Sequence, residues 1–350
     1  MLPKDAKIYV AGHRGMVGSA IVRSLQFHGY GNILRRTRQE LDLLDQTAVF
    51  EFLKSERPDY LFMAAAVVGG IHANDTLRGQ FIYENLAIQT NMIHGAWMSG
   101  TQRLCFLGSS CIYPRDCPQP IREDYLLGGP LEPSNDAYAI AKIAGVKMCE
   151  SYNRQYGTEY VSLMPTNLYG PNDTYDLNRS HVLPALLRKA HLAKLGLERN
   201  LSGIRADEAR HGRIPDALLT DLGCERDTLG QIALSDSLAP QTRIVVWGSG
   251  QPMREFLYVD DMADACIFIM ENGIKHGIYN VGTGVDVTIR ELASIVMDVV
   301  GFKGEIVFDS TKPDGTPRKL LDVSRLADLG WFATGTLKQA VALTYKHFTD

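Results

Sequence analysis

Residues 11–21 read AGHRGMVGSAI and continue the apolar run KIYVA at 7–11. The run predicts a buried β-strand, and the residues after the glycines have the pattern of a helix. In such a strand–turn–helix the first glycine, Gly12, permits the tight turn, and Gly15 lets the backbone approach a pyrophosphate. Gly18 lets helix and strand pack closely. The segment therefore predicts a dinucleotide-binding turn, with a plain structural turn as the weaker alternative.

The first half of the chain continues this alternation of apolar runs and helical stretches. The predicted strands are Lys7–Ala11, Asn32–Arg36, Tyr60–Ala66, Arg103–Leu107 and Tyr160–Met164, and the predicted helices are Met16–His28, Gln46–Ser55, Phe81–Met98 and Tyr138–Tyr156. Strands that are continuous apolar runs between helices indicate a parallel sheet covered on both faces. We expect an α/β fold with a doubly wound, Rossmann-type parallel sheet.

The pattern loosens after residue 181. Gly196–Gln241 is polar, charged and rich in Gly, Asp and Arg, and it contains one plausible helix, Pro215–Leu222. A stretch of 46 residues with so little predicted structure is typical of an insertion, a lid or a flexible segment. Regular patterns resume at Arg243–Trp247, Ile278–Val281, Ile289–Val300 and Glu305–Phe308.

The composition excludes several classes of protein. The 350 residues are 45% apolar and 22% charged, with a formal net charge of −4, which argues against non-specific binding to nucleic acid or to a membrane surface. No apolar run approaches the roughly 20 residues of a membrane span, and the N-terminal strand pattern leaves no room for a signal peptide. Six cysteines without a CxxC pair predict neither a metal site nor a disulfide framework. We expect a cytoplasmic protein without a metal.

Basic residues after the second predicted strand favour NADP over NAD. NAD enzymes place an acidic residue there, roughly 20 residues past the glycines, to bind the ribose 2′-hydroxyl, whereas a basic residue accommodates a 2′-phosphate. This sequence has Arg35, Arg36 and Arg38 at that point, and Arg14 lies inside the glycine loop. A solvated basic turn is the alternative interpretation. Asp42 and Asp45 follow, and we expect this LDLLD segment to cap a helix and contact the adenine rather than bind the ribose.

Tyr138-Ala-Ile-Ala-Lys142 is a candidate catalytic pair. A Tyr and a Lys four residues apart lie on one face of a helix, and the lysine ammonium is expected to lower the pKa of the phenol. The pair could then protonate a carbonyl oxygen as hydride arrives. Ser109, in GSSCIYP at the end of the fourth predicted strand, would complete the hydrogen bonds to that oxygen.

These three features together resemble the extended short-chain dehydrogenase/reductase superfamily, whose sugar-nucleotide enzymes carry a smaller α/β C-terminal substrate domain. Longer stretches resemble one family within it, the GDP-L-fucose synthases, from Lys7 to about Asp322: AGHRGMVGSAI, GSSCIYP, SNDAYAIAKIAG, MPTNLYGP, SHVLPALLRK, VVWGSGQPMREFLYVDD, NVGTGVDVTIREL and FDSTKPDGTPRKLLD. The resemblance implies conversion of GDP-4-dehydro-6-deoxy-D-mannose to GDP-L-fucose by epimerisation at C3 and C5, then reduction of the C4 ketone with NADPH. The excursion at 196–241 and Val67, where the family often has lysine, depart from the pattern.

The resemblance also implies roles for matching residues. The expected catalytic residues are Ser109, Tyr138 and Lys142 for reduction, and Cys111 and His181 as the acid/base pair of epimerisation. The expected cofactor-binding residues are Gly12, His13, Arg14, Gly15, Met16, Val17, Gly18, Arg36, Arg38, Leu107, Gly108, Tyr138, Lys142, Pro165, Thr166, Asn167, Leu168 and His181. The expected substrate-binding residues are Lys189, Trp247, Arg254 and Asp314.

The residue types alone support these roles less strongly than the family resemblance does. A cysteine with a pKa near 8.5 and a histidine near 6.5 suit the transfer of protons to and from carbon. Taken alone, however, a cysteine at a strand end is more often a small buried hydrophobe. A histidine ahead of a helix, such as His181, is often a cap or a surface group. A core position is as good an interpretation for Trp247, because it ends the apolar run RIVVW.

The resemblance predicts two domains and a GDP-sugar substrate. We expect an NADP-binding domain at 1–180 with returning segments from the C-terminal half, and a substrate domain at 181–350. By analogy, the helices Phe81–Met98 and Tyr138–Tyr156 would form a homodimer interface. One alternative is another extended sugar-nucleotide epimerase, dehydratase or reductase, although a dehydratase would have a Thr/Ser-Asp/Glu-Glu trio in place of Ser109-Ser110-Cys111. The other is a non-catalytic NADP sensor, which would lose Tyr138 or Lys142.

Overall fold

The structure is a computed structural model that describes residues 2–70, 74 and 76–350. The chain divides into two compact units. Unit 1 comprises Met1–Asn172, Glu255–Asp286 and Lys319–Thr334, and unit 2 comprises Asp173–Arg254, Val287–Arg318 and Gly335–Asp350. The first division falls after Asn172, ahead of the predicted boundary at 180. That one unit binds the cofactor and the other the substrate stays a prediction.

Unit 1 is built on a parallel sheet of six strands. These are β1 (Ile8–Ala11), β2 (Ile33–Leu34), β3 (Tyr60–Met63), β4 (Arg103–Leu107), β5 (Glu159–Pro165) and β11 (Gly277–Val281). Their order is β11-β5-β4-β3-β1-β2, and every neighbouring pair is parallel. All residues of β1 and β4 are buried, which explains why these strands are continuous apolar runs. Strand β2 is shorter than the predicted Asn32–Arg36.

Helices cover both faces of this sheet. One face carries α1 (Met16–Phe27) and α8 (Val259–Glu271), and the other carries α2 (Gln46–Glu56), α3 (Arg78–Met98) and α4 (Asp136–Tyr156). Two separate apolar cores result, one on each face, which confirms the doubly wound fold. Helix α2 begins after Asp45, whose carboxylate accepts the Ala48 N–H at 3.0 Å, as predicted for a cap. A short helix, α10 (Ser324–Ala327), also belongs to unit 1.

Unit 2 contains helices and two small pairs of strands. Its helices are α5 (Val182–Leu197), α6 (Leu201–His211), α7 (Asp216–Asp221), α9 (Ile289–Val300) and α11 (Leu337–Thr349). Strands β9 (Arg243–Trp247) and β13 (Glu305–Asp309) pair in parallel, and β7 (Cys224–Arg226) and β8 (Ile232–Leu234) form an antiparallel hairpin. Along all the described residues of both units, no helix is both long and apolar enough to cross a membrane.

Four short strands lie where the chain passes between the units or next to such a point. They are β6 (Asn167–Tyr169), β10 (Met253–Tyr258), β12 (Asp286–Thr288) and β14 (Arg318–Lys319). Within unit 1, β6 pairs in parallel with the end of β10, and Asn167 is the partner of Phe256.

The segment 196–241 is folded, which corrects the expectation of little regular structure. It contains the end of α5, all of α6 and α7, and the β7–β8 hairpin, and α7 coincides with the one helix predicted there. These elements share a small apolar core with α5: Leu192, Leu195, Ile204, Ile214, Leu219, Leu222, Cys224 and Ile232. Composition misled the prediction because so small a core needs few apolar residues among many polar ones.

A buried ion pair fastens α6 to α5. Arg188 Nε donates to Asp207 Oδ1 at 2.8 Å, and the two side chains are 0% and 3% exposed. The other guanidinium nitrogens donate to the backbone carbonyls of Tyr175, His211 and Gly212. The buried Arg188 guanidinium therefore joins the excursion to the rest of unit 2, because its hydrogen-bond acceptors come from three segments of the chain.

Asp207→Ala is expected to destabilise the protein by about 3–5 kcal/mol, because it leaves the Arg188 charge buried without its counter-ion. Chemical denaturation measures the free energy of unfolding. The control is Glu225→Ala, at an exposed position of β7, with an expected change within about 0.5 kcal/mol. Equal effects of the two substitutions would contradict the anchoring role of the ion pair.

Candidate active site

The glycine loop between β1 and α1 has a geometry that only glycine permits at two positions. Gly12 has φ +81°, and a Cβ there would lie 2.7 Å from the Ala65 nitrogen. A Cβ on Gly18 would overlap the Gly12 carbonyl oxygen, so α1 packs directly onto the turn. Helix α1 has Gly15 as its N-cap and no side-chain cap. Its first backbone N–H groups are therefore placed to bind an anion such as a pyrophosphate.

A cavity of about 320 Å³ opens beside this loop. Its lining residues are Gly12, His13, Arg14, Gly15, Arg36, Thr37, Arg38 and Gln39. The structure thus brings together the two sources of arginine that the sequence placed apart. His13 Nδ1 is buried and has no hydrogen-bond partner within the described residues. Charge, backbone donors and an unpaired ring nitrogen fit the phosphorylated ribose of a dinucleotide.

The arginines of this site are not equivalent. Arg36 is held by an ion pair with Glu56 at 2.9 Å. Arg38 has a side chain 70% exposed and a longer contact of 3.5 Å with Asp42. Arg14 is exposed. We infer that Arg14 and Arg38 are the more available groups for a phosphate, while Arg36 forms part of the wall.

Tyr138 and Lys142 lie one turn apart on α4. Lys142 is buried, and its Nζ donates to the carbonyl oxygen of Leu107, at the end of β4, at 2.8 Å. The same Nζ lies 5.7 Å from the centre of the Tyr138 ring. A negative charge on Cys111 would raise the pKa of both groups, so the thiol lies within electrostatic reach of the pair. The structure therefore brings together the predicted residues from the strand end and from the helix.

Burial is the main cause of the pKa shifts of Tyr138 and Lys142. It raises the pKa of the Tyr138 phenol above its usual range, with a further contribution from Cys111, and it lowers the pKa of Lys142 to about 8. The expectation that the lysine lowers the pKa of the phenol is wrong for this arrangement, because burial and the Cys111 thiol both act to raise it. A phenol that keeps its proton at neutral pH is suited to donate it to a substrate oxygen.

Cys111 lies in a 3-10 turn, Ser110–Ile112, directly after the strand end. Its side chain is half-buried, and its backbone N–H donates to Ser109 Oγ at 3.3 Å. Burial raises the pKa of the thiol, whereas the Lys319 ammonium, the Ser109 hydrogen bond and the Lys142 ammonium act in the opposite direction. The net direction is upward, because burial outweighs these three contributions. The thiol is therefore held in its protonated form.

The segment Pro165–Leu168 begins at the end of β5. The Thr166 N–H donates to the Val281 carbonyl oxygen at 3.0 Å. The Thr166 hydroxyl and the Asn167 amide both donate to the backbone carbonyl oxygen of Glu255, at 3.2 and 2.8 Å. This segment, predicted to lie along the cofactor, is thus fixed to the two strands beside it.

Unit 2 holds the remaining predicted residues, two of them on α5. His181 is the N-cap residue of this helix, and partial withdrawal from water lowers the pKa of its imidazole. Lys189 lies two turns further, and its Nζ donates to the Val245 carbonyl oxygen at 3.2 Å. Desolvation lowers the pKa of this lysine as well. Unit 2 thus carries an exposed imidazole at the start of α5 and a half-buried lysine two turns further along it.

Trp247 is 68% exposed, which rules out the core position that the sequence left open. The Lys312 ammonium lies 5.4 Å from the centre of its ring. The Asp314 carboxylate accepts the backbone N–H and the hydroxyl of Ser249 at 2.8 and 2.6 Å, and these bonds keep its pKa below the usual range. Arg254 is half-buried, and desolvation lowers its pKa. An exposed indole beside the Lys312 ammonium is suited to a nucleotide with a diphosphate.

Sequence reasoning missed two charged residues of unit 1. Lys319 contributes the largest favourable charge to the Cys111 thiol, and Glu255 is fully buried beside Thr166 and Asn167. A glutamate at the start of the apolar run EFLYV was the one available signal for Glu255. No local sequence pattern identifies Lys319, because Cys111, on whose thiol its charge acts, is distant in sequence.

Comparison with known proteins assigns the chain to a family. The model of the "NAD dependent epimerase/dehydratase family" matches residues 8–207 and 229–282. It passes over 208–228, which lie within the excursion.

Similar proteins match over the full length. The chain is 51% identical to "Putative GDP-L-fucose synthase 2" of Arabidopsis thaliana over 100% of this chain and 94% of that protein. It is 49% identical to the "GDP-L-fucose synthase" of Escherichia coli K12, over 98% and 97%. A solved GDP-D-glycero-L-gluco-heptose synthase from Campylobacter jejuni, crystallised in the presence of NADPH, is 39% identical with a TM-score of 0.87 and covers all of both chains. The chain belongs to the NAD dependent epimerase/dehydratase family and, within it, to the GDP-L-fucose synthases.

Proposed function

We propose that this chain converts GDP-4-dehydro-6-deoxy-D-mannose to GDP-L-fucose, with NADPH as the reductant. It is then an oxidoreductase with epimerase activity in the biosynthesis of GDP-fucose. The observation that carries this conclusion is an identity of about one half, over the whole chain, with proteins named GDP-L-fucose synthase. The grouping of Ser109, Cys111, Tyr138 and Lys142 in unit 1 supplies the chemistry that such a reaction needs.

Epimerisation requires a stabilised carbanion and two proton-transfer groups. A proton on the carbon next to a ketone is acidic because its loss gives an enolate, and hydroxyl donors such as Ser109 and Tyr138 stabilise the enolate oxygen. Inversion requires removal of a proton from one face and its return to the other. Neutral His181 can accept a proton, and the protonated thiol of Cys111 can donate one.

Reduction of the C4 ketone uses the same donors. Bound NADPH supplies the hydride. The Tyr138 phenol donates its proton to the C4 oxygen, and the Lys142 ammonium, one turn away, stabilises the phenolate that this leaves. Arg14 and Arg38 bind the 2′-phosphate, and the uncapped start of α1 binds the pyrophosphate.

An assay with a defined substrate tests the proposed function. GDP-4-dehydro-6-deoxy-D-mannose is mixed with NADPH and the purified chain, and the product is identified by NMR. One NADPH should be oxidised for each GDP-L-fucose formed. A 6-deoxyhexose with unchanged C3 and C5 would instead indicate a simple ketoreductase.

A second candidate is C4 reduction of a different GDP-ketosugar. It has support because a solved GDP-mannoheptose C4 reductase from Campylobacter jejuni, with NADP bound, is 38% identical over the full chain. The identities of 49–51% to the fucose synthases favour the deoxyhexose. A competition assay that supplies a GDP-4-keto-heptose together with the deoxyhexose decides between them by the product formed.

The cofactor preference gives a specific prediction. The double substitution Arg14→Ala and Arg38→Ala should raise the KM for NADPH by about 10–100-fold, because each guanidinium would lose a charge-assisted bond to the 2′-phosphate. The KM for NADH should change by less than about twofold, since NADH lacks that phosphate. Lys54→Ala is the matched control, because Lys54 is an exposed cation on α2 and does not line the cavity. An equal loss for both cofactors would contradict the assignment.

The pKa of Lys142 gives a pH dependence. Its ammonium is protonated below about pH 8 and loses its charge above that value. The rate of ketone reduction should therefore be level from pH 6 to 7.5 and fall as the pH rises through about 8. Rates at saturating NADPH from pH 6 to 10 measure this. The control is His28→Gln, which removes an ionisable side chain at the end of α1 and should leave the pH profile unchanged. A level profile up to pH 10 would contradict a role for the charged lysine.

We propose that the protein is a homodimer through α3 and α4. These helices pack side by side and expose four large apolar side chains, Tyr83, Met98, Ile140 and Tyr156. The same helices of a second copy could cover that surface. Light scattering after size exclusion should give the mass of a dimer, and Ile140→Arg should give a monomer. A wild-type monomer would overturn this proposal.

We infer that the protein acts in the cytoplasm. All six cysteines are free thiols, as is usual in a reducing compartment. The net charge of −4 supports neither nucleic-acid nor membrane binding. Fractionation of the producing cells tests the location.

A further inference from the structure

Glu255 has no exposed surface, and backbone groups from two distant loops bind its carboxylate. Oε1 accepts the N–H groups of Thr283 and Gly284, both at 2.7 Å, and Oε2 accepts the N–H of Leu321 at 3.1 Å. Burying a carboxylate is unfavourable unless such donors compensate. Glu255 therefore holds the loop after β11 and the segment after β14 against strand β10.

The loop after β11 packs directly on this carboxylate. A Cβ on Gly282 would overlap the Glu255 carboxyl group, so the backbone of the loop approaches the side chain directly. Burial raises the pKa of Glu255, and the hydrogen bonds from Leu321, Gly284 and Thr283 oppose that rise. The side chain is thus fixed in position on both of its oxygens.

The backbone of the same residue holds the segment Pro165–Leu168. Its carbonyl oxygen accepts the Thr166 hydroxyl and the Asn167 amide. The next residue, Phe256, pairs with Asn167 in the β6–β10 ladder. Any displacement of Glu255 is therefore passed to Thr166 and Asn167. All these residues belong to unit 1.

We propose that Glu255 is a positioning residue for hydride transfer, which acts by holding Thr166 and Asn167 in place beside the cofactor. This inference rests on the proposed function, in which that segment lines the NADPH site. Reduction depends on this alignment more steeply than epimerisation, because Cys111 and His181 move protons without the cofactor. A displacement of about 1 Å can cost on the order of a hundredfold in rate.

Glu255→Gln is the most direct substitution. Glutamine keeps the size but replaces one carboxylate oxygen with an NH₂ group, which then faces an N–H donor. The control is Glu123→Gln. Glu123 is also a buried glutamate in unit 1 that accepts a backbone N–H, that of Asn280 at 2.9 Å, but it has no hydrogen bond to Pro165–Leu168.

Two readouts test the proposal. The first is hydrogen–deuterium exchange by mass spectrometry on the protein without cofactor: a peptide covering 165–170 should exchange at least about tenfold faster in Glu255→Gln and unchanged in Glu123→Gln. The second is the ratio of the rate of C4 reduction to the rate of solvent-deuterium incorporation at C3 and C5. This ratio should fall by about 10–100-fold in Glu255→Gln and stay within about twofold in Glu123→Gln.

A purely structural role predicts the opposite pattern. Equal losses of reduction and deuterium incorporation, or an unchanged exchange rate at 165–170, would overturn the proposal. If Glu255→Gln does not fold, Thr166→Val removes only the hydroxyl bond to Glu255 and should lower the ratio by a smaller factor, of about 3–10-fold. An unchanged ratio in that variant would also overturn it. If the wild-type chain makes no GDP-L-fucose, the proposed function fails, and the exchange experiment alone decides whether Glu255 holds the segment.

Discussion

Cys111→Ser reduces the incorporation of solvent deuterium at C3 and C5 of the GDP-sugar by about 10²–10⁴-fold, while the affinity for NADPH stays within about twofold. A hydroxyl is too weak an acid to replace the thiol in proton transfer at neutral pH. The cofactor affinity is preserved because the thiol lies at the end of β4, and the glycine loop and the arginine-lined cavity belong to other segments of unit 1. NMR of the recovered sugar and fluorescence titration of NADPH are the two measurements.

The matched control for this substitution is Cys117→Ser. Cys117 is also half-buried in unit 1, and the Lys319 charge acts on its thiol too, but it has no proposed role. It should leave deuterium incorporation within about twofold. Loss of both deuterium incorporation and NADPH binding in Cys111→Ser would show that the residue is structural.

Tyr138→Phe lowers the rate of C4 reduction by about 10²–10⁴-fold, with little change in NADPH affinity. The phenol is the group whose pKa burial raises and whose proton is therefore available for the ketone oxygen. Phenylalanine keeps the ring that packs near Lys142 but removes that proton. Single-turnover oxidation of NADPH measures the step without the contribution of product release.

Tyr156→Phe is the control for Tyr138→Phe. Tyr156 ends the same helix and is 42% exposed, so the loss of its hydroxyl should leave the rate within about twofold. A Tyr138→Phe variant that retains more than a tenth of the wild-type rate would contradict the assignment of the phenol as the proton donor.

The local parts of the site were predictable from the sequence because each lies in one short segment. The glycine loop, the strand end GSSCIYP and the Tyr138–Lys142 helix all have spacings that local backbone geometry determines. The alternating pattern also predicted the doubly wound sheet, since strands buried on both faces must be apolar throughout. These predictions needed no knowledge of long-range contacts.

The parts that were not predictable depend on contacts between distant segments. Burial raises the pKa of both Tyr138 and Cys111. The sequence around each residue does not reveal how deeply it is buried. Glu255 and Lys319 acquire their neighbours only when segments from the C-terminal half return to unit 1. The excursion at 196–241 was expected to be irregular because the Arg188–Asp207 ion pair and a small shared core are not visible as local patterns.

Reaction in deuterated water shows whether one chain both epimerises and reduces the sugar. The wild-type chain is incubated with GDP-4-dehydro-6-deoxy-D-mannose and unlabelled NADPH in D₂O, and the product is analysed by NMR. We expect GDP-L-fucose with deuterium at C3 and C5 and with protium from NADPH at C4. Oxidation of NADPH that gives a product without deuterium at C3 and C5 would contradict this expectation.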